Sequence, residues 1–358
     1  VIFMKYLLNF LFSVFLLFTL FSCGGSGDDD SAVINPVEEV KSIKLSVSSE
    51  YIELNTSAVF QVLSDKNKLL TSSCKFFVDN QEISGNTFDG DLGNYSVYAT
   101  YKQLISESKK FNIIPKITNY KTNVLVEDYT GTWCGWCPRV SQAIKLLKQE
   151  TNQISVVAVH VGDNMEISKS RALTDAFSVS SYPHVQLNRN SKWDGDQPNN
   201  LGAVTGLTGS PSKIGLAMES SLIDRTLNLK VKTQFGFPYS DLKLVVFILE
   251  NKIIQDQINF TSYFPELDKY TNSDNQPVSK GFVHDNVLKE SLTAVLGDNI
   301  ESSSSQSGST YEKSFSYDIP SSFDMSEMEI VAIVVDKDKQ AINSRMSKIG
   351  ENQTFDKL

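Results

Sequence analysis

Apolar residues follow two different spacings along this chain. In the middle, Val124, Leu125 and Val126 form a short run, β-branched enough to predict a buried strand. Thr130, Gly131 and Thr132 break it. Apolar residues then return at Val140, Ala143, Ile144 and Leu147, the spacing of one helix face. Residues 154–161 predict a second buried strand, 170–177 a helix and 184–189 another strand. A polar loop or tight hairpin is expected over 190–200, and a closing helix over 199–208. The order is β-α-β, with an indistinct last strand.

On either side the period is two. Ile43, Leu45 and Val47, then Phe60 and Val62, then Phe76 and Val78 alternate between turns such as Asp79-Asn80-Gln81 and Ser84-Gly85-Asn86. This predicts a β-sandwich over 40–115. Asp91-Leu92-Gly93-Asn94-Tyr95-Ser96-Val97 resembles the tyrosine-corner strand of immunoglobulin-like domains. Val97 stands where that fold often has its second cysteine, so the resemblance implies no intersheet disulfide. Cys74, near a strand start, reads as a small buried side chain. Toward the end, Ile214, Leu216 and Met218 alternate, as do Leu227, Leu229 and Val231, and later Phe315 and Tyr317. The continuous runs 244–249 and 330–335 suit interior strands, and 302–309 reads as a flexible loop. The expected architecture is α+β and multidomain: an immunoglobulin-like β-sandwich at 40–115, an α/β domain at 116–209 and a β-rich domain, a second sandwich, at 210–358.

The first residues change the picture of location. Lys5 precedes an apolar run over 6–21 that reads as a signal peptide, with a short membrane-spanning helix as the alternative. The run ends in Leu20-Phe21-Ser22-Cys23, a bacterial lipobox, so segment 1–23 predicts a mature chain anchored through acylated Cys23. Segment 24–39 is a linker, and its acidic stretch over 24–31 reads either as a tether or as a signal for export to the cell surface. With 41% apolar residues among 358, the chain can bury ordinary cores. A net charge of −9 argues against nucleic acid, which needs a basic footprint.

Candidate chemistry gathers at Cys134-Gly135-Trp136-Cys137, between the strand and the helix. A helix start presents unpaired N–H groups and the positive end of its dipole, and both favour a thiolate. Cys134 is therefore the expected attacking sulfur and Cys137 the resolving one, with Pro138 in the first turn. Three histidines and four cysteines leave little for a metal site. His160 could join the two cysteines, but no fourth ligand is evident, so no metal and no cofactor is expected. Asp163 and Glu166 read as solvated turn residues, and His284 as structural.

These residues resemble the thioredoxin superfamily. Trp133 before the first cysteine and Asp128, six residues ahead of it, match the family motif. The resemblance implies a thioredoxin-like domain at 116–209, with Asp128 buried and assisting proton transfer at Cys137. It also implies a cis bond between Tyr182 and Pro183, with Pro183 facing the cysteines. Trp133, Trp136 and Tyr182 would then line a substrate groove, Tyr182 offering backbone groups to an extended peptide. Trp136 departs from the family, which usually has proline before the second cysteine.

A narrower resemblance rests on three stretches: EDYTGTWCGWCPR from Glu127, HDNVLK from His284 and VAIVVDKDKQAIN from Val331. They are similar to the 28-kDa outer-membrane-protein family of Gram-negative lipoproteins, over residues 120–349. That implies an outer-membrane address, a thioredoxin-like core and a β-rich region after it.

Two functions fit. One is a cell-envelope thiol–disulfide oxidoreductase acting on protein or peptide thiols and disulfides. The other is a surface-exposed binding lipoprotein whose Cys134–Cys137 disulfide is structural.

Overall fold

The computed structural model describes residues 39–358; the expected signal segment, Cys23 and the acidic stretch after it lie outside the described residues. Strands dominate, and the described residues hold three α-helices, Pro138–Glu150, Ser170–Ala176 and Gly202–Thr205.

The amino-terminal strands form a three-stranded sheet and a six-stranded sheet. Their apolar faces share an aromatic core, in which Phe60 meets Phe76 at 5.8 Å and Phe111 at 5.6 Å between ring centroids. The Tyr95 hydroxyl donates to the Asp91 carbonyl at 2.9 Å, closing the corner that the sequence suggested. Cys74 is half-buried rather than buried. Its sulfur sits 3.3 Å from the Leu70 carbonyl, and desolvation pushes its thiol pKa up.

The central elements follow the expected order. Strand β1 (Val124–Thr130) leads through the cysteine turn to α1 (Pro138–Glu150), and β2 (Ile154–His160) returns parallel to β1. Helix α2 (Ser170–Ala176) connects to β3 (His184–Leu187), antiparallel on the other side of β1. Strand β3 ends where Asn188 and Arg189 take positive φ, and it forms a hairpin with Ser191–Lys192. The expected closing helix shrinks to Gly202–Thr205, because Asn199, Asn200, Gly202 and Gly206 are poor helix formers.

The boundary expected at 209/210 does not divide the hydrogen-bonded structure. Strands β4 (Leu242–Glu250), β7 (Val287–Ser291), β8 (Met328–Val335) and β9 (Ala341–Lys348) continue the same sheet. The nine-stranded sheet joins its halves at one register, Ala158 opposite Val287, with Ala158 N–H donating to Asn286 O at 2.8 Å. One core also crosses the seam: Leu125, Tyr129, Val157 and Val159 pack with Phe247, Leu249, Leu288 and Ile333. Sequence periodicity stays within a segment and so cannot reveal pairing between segments. Two further sheets complete this region. One contains Ile214–Ile223, Thr226–Phe235 and Thr310–Asp318. The other contains β5 (Ile253–Ile258), β6 (Pro277–His284) and Lys269–Thr271. The serine-rich stretch 302–309 is pinned rather than free, since Ser305 is fully buried and its hydroxyl donates to Tyr239 O at 2.7 Å.

Candidate functional site

Alternation along β1 sorts its side chains. Val124 and Val126 pack against Val140, Ala143, Ile144 and Leu147 of α1, and Asp128 follows on the same face. Asp128 is 3% exposed, and its Oδ1 is buried with no hydrogen-bond partner. Burial pushes its pKa up to about 7. It lines a cavity of about 370 Å³ with Thr130, His160, Gln257 and His284. Exposed Lys145, Lys148, Glu266 and Asp285 also line that cavity.

After β1 the chain turns tightly. Cys134 N–H donates to Gly131 O at 2.9 Å and Cys137 N–H to Cys134 O at 3.2 Å, and the two cysteines are joined as a disulfide. The helix proper starts one residue after Cys137, so Cys134 stands a turn outside it rather than at its first position. Pro138 explains the delay: a helical bond to Cys134 O would come from the N–H of residue 138, and proline has none. Cys134 is 4% exposed and Cys137 2%, so the accessible attacking sulfur required by the sequence argument is covered in the disulfide form.

Pairing of Tyr129 with His184 brings Pro183 to the end of β1, where the cysteine turn departs. The Tyr182–Pro183 bond is cis. Trp133 donates through Nε1 to Val161 O at 2.7 Å and meets the Tyr182 ring edge-on at 5.1 Å. Trp136 meets Phe260 edge-on at 6.0 Å. Trp133 and Trp136 remain 42% and 52% exposed, so both sides of the turn carry accessible rings.

Asp163 is no solvated turn residue. Its side chain is 4% exposed and binds His160 Nδ1 at 2.7 Å, Thr132 N–H at 2.8 Å and Met165 N–H at 2.9 Å. Burial alone would raise its pKa, but these hydrogen bonds outweigh burial and hold it below the usual carboxylate range. Asp163 thereby ties the cysteine turn to the end of β2. Glu166 likewise accepts from Gly162 N–H and pairs with Arg171. His160 thus pairs with Asp163 and packs its ring against His284 at 5.3 Å. Burial, then the neighbouring His160, lowers the His284 pKa to about 4, and its Nε2 is buried without a partner. Among the described residues no three His, Cys, Asp or Glu side chains are disposed to hold a metal ion.

The turn is also held from a distance by β5 and the residues after it. Ile258 N–H donates to Thr132 O at 2.9 Å and Phe260 N–H to Gly135 O at 2.8 Å. The Gln257 amide donates to Cys134 O at 3.0 Å and to Gly131 O at 3.3 Å. Nothing in the local sequence marks these residues, because their role comes from packing across 123 positions.

Comparison with known proteins finds two family matches. Residues 170–353 match the family model described as Outer membrane protein Omp28, and residues 103–205 match that described as Thioredoxin. Among solved structures, HBP35 of Porphyromonas gingivalis is 18% identical with a TM-score of 0.49, over 64% of this chain and 76% of that one. A domain of the outer membrane lipoprotein Omp28 from Porphyromonas gingivalis is 16% identical with a TM-score of 0.24, over 39% of this chain and 89% of that one. No curated protein matches the chain. The two cysteines fall inside the thioredoxin match, whereas Gln257 and His284 fall inside the other.

Proposed function

This chain belongs to the outer membrane protein Omp28 family, and on that footing we propose that it is a cell-envelope thiol–disulfide oxidoreductase acting through Cys134 and Cys137. The observation that carries this reading is Asp128, buried on the strand that feeds the cysteine turn, with one oxygen unpartnered and a pKa near 7. A disulfide that only braces the fold gains nothing from such a carboxyl, whose burial weakens the fold. A couple that must move a proton at neutral pH gains a base.

In the reduced form the Cys134 thiolate attacks a protein or peptide disulfide. One sulfur–sulfur bond breaks, a mixed disulfide forms and a partner thiolate leaves. Cys137 then gives its proton to Asp128 and attacks Cys134 Sγ. The second partner thiolate leaves and the intrachain disulfide closes. Two electrons have passed to the partner, and two envelope thiols return them, becoming a disulfide themselves. Trp133, Trp136 and Tyr182 flank the approach, with the Tyr182 backbone beside cis-Pro183 able to pair with an extended peptide. In this reading acylated Cys23 anchors the chain at the outer membrane. Nucleic acid is not a partner in this reading.

The near-complete burial of both cysteines favours a second reading, a binding lipoprotein with a structural disulfide. Trapping separates the two. The Cys137→Ala form should accumulate mixed disulfides in cell envelopes, Cys134→Ala should trap none, and Asp128→Asn should slow resolution without blocking the first attack. A disulfide that resists mild thiols, together with a Cys137→Ala form that captures nothing, would leave the binding reading standing.

A further inference from the structure

The Cys134 carbonyl has lost its helical donor to Pro138, and a residue far downstream takes that place. Gln257 lies near the end of β5, where β6 bulges: between the pairs Gln255–Phe282 and Gln257–Ser279, Lys280 and Gly281 stand against the single residue Asp256, and bulges re-aim the side chains beside them. Asp256 is held outward, accepting from Gly281 N–H at 2.8 Å and from the Tyr270 hydroxyl at 2.9 Å. Gln257 is turned inward, 3% exposed, with its amide on Cys134 O, Gly131 O and its neighbour Ile258 O.

We propose that Gln257 is a positioning residue of the redox pair: its amide fills the donor position that Pro138 leaves vacant and so lowers the cost of a thiolate on Cys134. This rests on the reading of Cys134 and Cys137 as a couple that cycles between dithiol and disulfide.

The electrostatics have a definite sign. Cys134 O and Gly131 O are the negative ends of peptide dipoles in the turn that carries the sulfur that ionises. An N–H donor offsets both in a setting nearly free of water, where such dipoles act strongly. Without the amide each oxygen keeps only its turn hydrogen bond, from Cys134 N–H or Cys137 N–H, and the thiolate is disfavoured, while the neutral disulfide is hardly affected. Loss of Gln257 therefore raises the Cys134 pKa and shifts the couple toward disulfide. The other charged or titratable groups near the turn are the same in the Gln257 variants: Asp128 on β1, Asp163 on the Thr132 N–H, Arg139 in α1, and His160 and His284 at the cavity.

The test uses Gln257→Met, close in shape but without a donor, and Gln257→Glu, which presents an acceptor instead. Both are made in the full chain and equilibrated with glutathione. In that reaction two glutathione thiols give two electrons and two protons to the protein disulfide, yielding the dithiol and glutathione disulfide. For Gln257→Met the equilibrium should move about tenfold toward the protein disulfide, about 30 mV. The acid dissociation constant of the Cys134 thiol, read from alkylation rate against pH, should fall by about tenfold, and the equilibrium shift reaches its full size where the pH lies above the thiol pKa of both forms. Gln257→Glu should shift both further. Folded variants with the unaltered chain's pKa and equilibrium overturn the proposal. If neither variant folds, nitrogen-15 spectra of the unaltered chain decide. The Gln257 side-chain amide signals should differ between disulfide and dithiol forms and titrate with Cys134, and signals indifferent to both overturn it. Because every readout is against glutathione or on the chain itself, the result stands whether or not Cys137→Ala captures a partner.

Discussion

Glu127 and Arg189 form a fully buried ion pair beneath the central sheet. Arg189 Nη2 donates to Glu127 Oε1 at 2.7 Å and its Nε approaches both carboxylate oxygens at 3.1 Å, with neither side chain exposed. The guanidinium also stacks over Phe177, 5.1 Å from the ring centroid. Glu127 precedes Asp128 on β1, so alternation puts the paired carboxylate on one face and the unpaired one on the other.

Removing one partner of that pair should be severe. Arg189→Met leaves an uncompensated buried charge and should cost about 3–5 kcal/mol in denaturant unfolding. The double variant Glu127→Leu/Arg189→Met should recover most of the loss, since buried pairs contribute little net stability over apolar replacements. A loss below about 1 kcal/mol for the single variant would show that the pair is dispensable.

Asp128 should tilt the pH dependence of stability. Its pKa is raised from 3.8 to about 7 by burial, so the folded chain binds this proton more tightly than the unfolded chain. Its contribution is fully present below about pH 4 and is lost as pH rises through 7. Asp128→Asn removes that dependence. The variant should gain on the original chain between pH 4 and 7, reaching on the order of 4 kcal/mol above pH 7. Parallel stability curves for the two proteins across this range would refute it.

Gly135 should be coupled to Phe260. A Cβ at Gly135 would stand 2.3 Å from the Phe260 ring, so Gly135→Ala must displace that ring from Trp136. The single variant should cost about 1–3 kcal/mol. In Phe260→Ala the same substitution should cost far less, giving a coupling energy of at least about 1 kcal/mol. Additive losses in the double-mutant cycle would mean that the ring moves away freely.

The lipobox predicts acylation at Cys23, which lies outside the described residues. Cys23→Ala should release the protein from membranes or leave its signal uncleaved. Mass spectrometry finding an unmodified Cys23 at the start of a membrane-bound mature chain would exclude the anchor.

Local chemistry was enough for the sequence alone to determine much of the centre. The apolar run at 124–126, the helical spacing from Val140 to Leu147 and the cysteine pair between them specify strand, turn and helix, because each depends on neighbours a few positions away. The resemblance to thioredoxins added Asp128 and cis-Pro183. What only the tertiary structure decided lies in contacts across long separations. The sheet continues through Ala158 and Val287, Asp163 becomes a buried tie on Thr132, Arg189 finds Glu127, and Gln257 reaches Cys134. In the sequence those residues look like ordinary turn or strand positions. A polar side chain declares its role only when burial removes water and leaves a particular carbonyl, carboxylate or N–H as its partner. Pro138 shows the division within one residue: its identity predicts a missing helical donor, and only the folded chain shows which side chain replaces it.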